Sequence, residues 1–305
     1  MARRVEVTGA GGLPLTTWEY ADGSAPVSGP GAGSAFGPAS RSEEAPRPAV
    51  LLLHGLMGRA SQWAGTARRL AARHRVVALD QRGHGRSAKP EGPYTRDAYV
   101  ADAAAVVEQL GLAPVTVVGH SMGALTAWQL AARRPSLVRA VVLCDMRAVA
   151  LGEASQRCWE DWFRAWPLPF SGPDAVRRWF GEEDPWLEGS RPARGEFFAE
   201  VMEEHADGWR PVFERRHMLR SRESWIHDAH WDELAQVSCP ALVVRGWDGE
   251  LGRAEAQEMV RVLPRGSYAE IPDAGHLVPW DQPEAWYAAV ETFLADVAGV
   301  PVCQA

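Results

Sequence analysis

The chain has 305 residues, a formal net charge of −7 and 14 tryptophans. That length buries a substantial core in one large domain or one and a half. No run of Lys or Arg reads as a nucleic-acid patch, and no window approaches the ~18 uninterrupted apolar residues of a membrane span, so neither nucleic acid nor membrane is expected as a partner. The N-terminal MARRVEVTGAGG has basic residues without an apolar stretch behind them, so it does not read as a secretory signal. Cys144, Cys158, Cys239 and Cys303 lack metal-ligand spacing and read as free thiols of a cytoplasmic protein.

In chain order, residues 4–20 read as two strands around a Gly-rich turn, an N-terminal hairpin. Residues 21–48 are dense in Gly, Ala, Ser and Pro and cannot bury enough apolar surface to order themselves, which predicts a flexible loop. AVLLL (49–53) is a continuous apolar run, the pattern of a strand buried on both faces of a parallel sheet. It leads into His54-Gly55-Leu56-Met57-Gly58. A helix over 63–73, the strand RVVAL (75–79), the turn Asp80-Gln81-Arg82-Gly83-His84-Gly85-Arg86-Ser87 and a helix over 98–110 follow, with Thr95 and Asp97 as candidate caps.

Next comes a strand over 115–118, then Gly119-His120-Ser121-Met122-Gly123, then an Ala- and Leu-rich helix to 132. A strand turning sharply into a helix, with Ser at the tip and Gly two residues to either side, is the nucleophile-elbow pattern G-x-S-x-G. The spacing has a physical cause. Ser121 takes a strained backbone conformation to push its hydroxyl out of the turn, and side chains at 119 and 123 would collide with the neighbouring strand and helix. The helix starts at once, so the Met122 amide is free to face an anion.

VRAVVLC (138–144) is a further strand, ending at Asp145. The strand–helix alternation to this point predicts right-handed βαβ units and a doubly wound, mostly parallel α/β sheet. Residues 146–236 then read as short helices with Pro and Gly breaks, and they hold Trp159, Trp162, Trp166, Trp179, Trp186, Trp209, Trp225 and Trp231. Packing explains tryptophans in a small segment with little core of its own. Indole rings also suit a pocket wall that stacks on a flat substrate, and Trp159, Trp162 and Trp186 are candidates for it, as is His54. CPALVV (239–244) returns to the sheet, a helix spans 255–263, YAEI (268–271) is the last strand, and 283–297 is the closing helix.

From about Ala49 to Val297 the chain resembles the α/β-hydrolases that carry a lid. HGLMG matches the family's H-G-x-x-G loop, DQRGHGRS its D-x-R-G-x-G-x-S turn, GHSMG the elbow, and DAGHLVPW with Pro283 its histidine loop, although Ala274 interrupts the Gly repeat. The resemblance implies a core of residues 1–145 and 237–305 and a helical lid of 146–236. It implies Ser121 as nucleophile, His276 as the base that takes its proton, and the amides of Leu56 and Met122 as an oxyanion hole. The D-x-R-G turn is mostly architectural in the family, so His84 is not expected as the base.

The third member is open. The family takes its acid most often from the loop after the strand CPALVV, where Asp248 or Glu250 would serve only after a one-residue deletion or insertion. Other members take it from the end of the strand VRAVVLC, where Asp145 stands. The implied chemistry is hydrolysis of a bulky apolar or aromatic ester or lactone through an acyl-enzyme, without metal or organic cofactor. Carbon–carbon bond hydrolysis, haloperoxidase-like chemistry, acyl transfer and a small-molecule receptor with weak turnover share these residues.

Overall fold

A computed structural model describes residues 2–21 and 47–298. The loop expected over 21–48 lies, but for its ends, outside the described residues, as does Cys303. The N-terminal hairpin forms as expected from β1 (Ala2–Thr8) and β2 (Pro14–Tyr20). It joins β3 (Ala49–Leu53), β4 (Arg75–Asp80), β5 (Val115–His120), β6 (Val138–Cys144), β9 (Ala241–Gly246) and β10 (Gly266–Ile271) in one eight-stranded sheet. Its order is β1-β2-β4-β3-β5-β6-β9-β10. β2 runs antiparallel to both neighbours, and from β4 to β10 every pair is parallel.

The continuous apolar runs are explained by burial on both faces. Alternate residues of each strand serve different cores. Leu51, Leu53, Val77, Val117, Val141 and Val243 pack on the face covered by α2 (Arg96–Gln109), α3 (Met122–Arg133) and α9 (Arg253–Val262). Val50, Leu52, Val76, Val118, Val142 and Val244 pack on the face covered by α1 (Ala64–Leu70) and α11 (Pro283–Ala298). The Thr95 hydroxyl caps α2 by accepting from the Ala98 amide at 3.3 Å. α3 is buried almost all round and mostly apolar, and its buried Thr126 and Gln129 accept from Arg96.

Between β6 and β9 lie α4 (Gly152–Ala165), α5 (Pro173–Arg178), α6 (Pro192–Glu200), α7 (Arg215–Ile226) and α8 (Trp231–Ala235). One expectation fails here. The insertion, expected as short helices alone, also holds a hairpin: α6 stops at Glu200, and β7 (Met202–His205) pairs antiparallel with β8 (Gly208–Pro211). Asp207-Gly208 is a turn signal that the helical pattern masked. Gly208 has φ +130, and Trp209 exchanges backbone hydrogen bonds with Phe170 at 2.8 and 3.0 Å. A short helix, α10 (Val278–Asp281), follows β10.

Candidate active site

Ser121 sits between β5 and α3 with φ 51 and ψ −124. Its amide donates to Cys144 O of the neighbouring strand at 2.8 Å, which fixes the turn. The flanking glycines are required by space. A Cβ on Gly119 would lie 2.3 Å from Gly123 O, and one on Gly123 would lie 2.2 Å from Leu53 O. Met122 opens α3, so its amide has no carbonyl within the helix to bond.

The loop after β3 lies against this turn. A Cβ on Gly55 would meet His120 Nδ1 at 2.9 Å and Ser121 Cβ at 3.1 Å. The next residues, Leu56 and Met57, line the same cavity as Ser121. Two buried histidines hold the loop. His54 donates from Nδ1 to Gly55 O at 2.7 Å and accepts at Nε2 from the Gln81 amide at 3.0 Å. His84 donates from Nδ1 to Arg82 O at 2.8 Å and accepts at Nε2 from the Met57 amide at 3.2 Å. Burial lowers the pKa of both, so each stays neutral with its two ring nitrogens in use. His54 does not line the cavity, which corrects the expectation that it touches substrate. Its ring is consumed in fastening the loop.

His276, between β10 and α10, donates from Nδ1 to Asp145 Oδ2 at 2.7 Å. Nε2 remains as the basic nitrogen. Asp145 is fully buried, and it too has a positive φ, of 45. Its carboxylate accepts from the Glu250 amide at 2.8 Å and from the Gly246 amide at 3.4 Å. The loop after β9 therefore supplies backbone donors to Asp145, and neither of its own carboxylates hydrogen-bonds His276. Gly249 makes this approach possible, since a Cβ there would lie 2.3 Å from Asp145 Oδ1. The alternative, Asp248, is half-exposed and reaches Arg191 at 3.9 Å. Glu250 Oε1 lies 3.9 Å from His276 Nδ1, beyond hydrogen-bond reach.

Burial opposes protonation of His276, but Glu250, Asp145 and Asp281 outweigh it and raise its pKa to about 9. His120, in contrast, is pushed down to about 3 by burial, with His276 adding to the effect. Its Nε2 donates to His276 O at 2.8 Å, so the residue before Ser121 ties the histidine loop to the turn.

Ser121 and His276 open on a cavity of about 360 Å³. The other walls come largely from the 146–236 insertion. Trp159, Trp162, Trp186 and Trp225 line it, with Phe197 and Phe198. Trp162 is held by its Nε1 donating to Asp184 Oδ2 at 2.8 Å. Trp166 and Trp179 lie behind the wall, packed edge-on against Phe180 at centroid distances of 4.8 and 4.5 Å. None of the histidines of the 146–236 insertion, His205, His217, His227 and His230, lines the cavity.

Residues 48–177 match the family model described as the alpha/beta hydrolase fold. A 2-(acetamidomethylene)succinate hydrolase of Mesorhizobium japonicum is 30% identical over 255 residues, which cover 83% of this chain and 90% of the relative. The chain belongs to the α/β-hydrolase family. A mouse sn-1-specific diacylglycerol lipase is 28% identical to this α/β-hydrolase over 271 residues, 83% of the chain and 82% of the lipase. The crystal structure of E-2-(acetamidomethylene)succinate hydrolase has a TM-score of 0.79 with it at 24% identity, over 97% of this chain and 100% of that one, a likeness of fold.

Of the residues expected at the site of this α/β-hydrolase, the fold brings together Ser121, His276, Asp145, Leu56 and the three chosen tryptophans. Sequence reasoning did not single out Trp225, Arg194 or Arg222 as cavity residues. The arginines had no legible signal, because a charged residue on an insertion helix reads as solvated until that helix is docked. Among the described residues no helix is long and apolar enough to cross a membrane.

Proposed function

We propose that this α/β-hydrolase is a serine hydrolase that cleaves a carboxylic ester or lactone of a bulky, largely apolar or aromatic small molecule through an acyl-enzyme. The observation that carries the reading is the bond from His276 Nδ1 to the buried Asp145, beside a serine held at positive φ on the floor of an apolar cavity. Asp145 fixes the imidazole tautomer and stabilises the imidazolium. His276 Nε2 takes the Ser121 proton as Oγ attacks the carbonyl carbon. The amides of Leu56 and Met122 hold the oxygen that becomes negative, each worth roughly 3–4 kcal/mol in such sites. The imidazolium returns its proton to the leaving oxygen, and water, activated by the same nitrogen, releases the acid. This sequence needs no metal or organic cofactor.

Residues 146–236 act as the lid that shapes the acyl and leaving-group pockets. The aromatic lining supports an apolar substrate body. The relatives' names, an acetamidomethylenesuccinate hydrolase and a diacylglycerol lipase, cover dissimilar small molecules, so identity at this level does not choose among them. The test is a hydrolysis screen of aryl esters and aromatic lactones, with fluorophosphonate labelling of wild type and Ser121→Ala. Turnover and labelling that both vanish in the variant support the reading. Turnover that survives in Ser121→Ala overturns it.

A further inference from the structure

Three arginines reach the cavity, and they differ in what neutralises them. Arg147 donates from Nε to Glu255 Oε2 at 2.9 Å. Arg194 is paired with Asp184. Arg222, on α7, is only 3% exposed, yet its protein partners are neutral. Nη1 donates to Gln156 Oε1 at 2.8 Å, Nη2 donates to Ser155 Oγ, and the guanidinium lies 4.9 Å from the centre of the Trp159 ring. Among the described residues no carboxylate comes within ion-pair distance of it. Glu250 also lines the cavity, but its carboxylate is the one 3.9 Å from His276.

A buried cation without a counter-charge is costly, and the cost is removed when an anion arrives. Burial lowers the Arg222 pKa to about 10, with Glu250 opposing the shift, and the group remains charged at neutral pH. Of the five N–H donors of a guanidinium, the two contacts to α4 use one each from Nη1 and Nη2. Trp159 lies against the guanidinium, and Gln156 and Ser155 hold its two terminal nitrogens. Three N–H donors remain, and the planar donor set of a guanidinium suits a carboxylate.

We propose that Arg222 anchors a carboxylate of the substrate, so that the preferred ester or lactone carries an acidic group at the far end of an apolar body from its scissile carbonyl. This deepens the hydrolase reading and rests on it. It assigns the substrate two ends: a carbonyl delivered to Ser121 and an anion delivered to the α4–α7 wall, with tryptophans between.

The test compares two para-nitrophenyl esters of similar length, the neutral butyrate and the mono-ester of glutaric acid, on wild type, Arg222→Gln and Arg222→Lys. Wild type is expected to favour the charged ester. In Arg222→Gln the charged-to-neutral ratio of kcat/KM should fall roughly 10- to 100-fold, the range of a charge-assisted hydrogen bond, with the change carried by KM. Arg222→Lys should recover part of it and is read alone if the glutamine variant does not fold. An equal loss on both esters would make Arg222 only a strut between α4 and α7 and would overturn the proposal, as would a wild type that prefers the butyrate. If neither ester is turned over, no ratio can be read, and the hydrolase reading is left to the wider ester and lactone screen. Calorimetric titration of glutarate into Ser121→Ala, with and without Arg222→Gln, then decides. Weaker binding without the arginine supports the anchor, and unchanged or absent binding overturns it.

Discussion

The sheet core and the 146–236 insertion build the same cavity by different means. The core contributes through its backbone. Met57, Ser121 and Asp145, three of the four described non-glycine residues with positive φ, lie at the site. Gly119, Gly123 and Gly249 are there because a single carbon would collide with backbone or with Asp145. Strain of this kind persists only where surrounding structure enforces it, here the parallel strands and their loops. The insertion contributes through side chains. Its helices pack an aromatic cluster, with Phe180 stacked on Phe198 at 3.9 Å and Trp162 edge-on to Trp166 at 5.0 Å, and the outer members of that cluster become the cavity wall. The proposed chemistry depends on the first region and the proposed selectivity on the second.

Substitutions in the core should therefore act on kcat and those in the insertion on KM. The largest effect is expected for Ser121→Ala, a loss of about 10⁶ in kcat on an aryl ester. Asp145→Asn should follow, at about 10⁴ through the wrong imidazole tautomer. Asp248→Asn, half-exposed beside Arg191, should stay near wild type, and a reversal of those two results would move the acid into the other loop. Gly249→Ala sharpens the contrast, because it changes no reacting group. Its Cβ displaces the Asp145 carboxylate, and a misplacement on the order of 1 Å typically costs about 10² in rate. Full activity in that variant would mean that the loop yields freely.

In the insertion, Trp159→Ala is expected to raise KM about tenfold and leave kcat within a few-fold, as for a lost uniform binding contact. A fall in its kcat as large as that of Asp145→Asn would break the division between the regions. The smallest effect concerns Glu250→Gln. The base must be neutral, so kcat/KM should rise with pH up to about 9, the raised pKa of His276. Removing the Glu250 carboxylate lowers that pKa and should move the acid limb of the profile to lower pH. The same group contributes to stability in the opposite sense. Its folded pKa of about 9 exceeds the ordinary 6.5, so the contribution is complete below 6.5 and lost as pH rises through 9. Thermal melts of wild type and Glu250→Gln across that window check the sign, and identical curves would show that Glu250 does not act on His276.

How far the chain could be read follows the same division. The strands, the Ser121 turn and the His276 loop were legible because apolar runs and glycines at fixed spacing leave few backbone solutions. The choice between Asp145 and Asp248 was not. It depended on the loop after β9 turning its Gly246 and Glu250 amides toward Asp145, a contact across more than a hundred residues. His54 misled because its motif position borders the cavity while its ring points to Gln81. The hairpin over 202–211 was hidden because Met202 and its neighbours continue a helical pattern until the turn at Ala206-Asp207 reverses the chain.

The sequence by itself determined the doubly wound sheet, the place of the serine and the place of the histidine, because local sterics and two-face burial leave little freedom at those positions. Only the tertiary structure decided which carboxylate meets His276, which tryptophans form the wall and that Arg222 reaches the cavity with neutral hydrogen-bond partners. Each of these depends on how helices and loops distant in sequence rotate as they dock, and residue type and spacing do not encode that rotation.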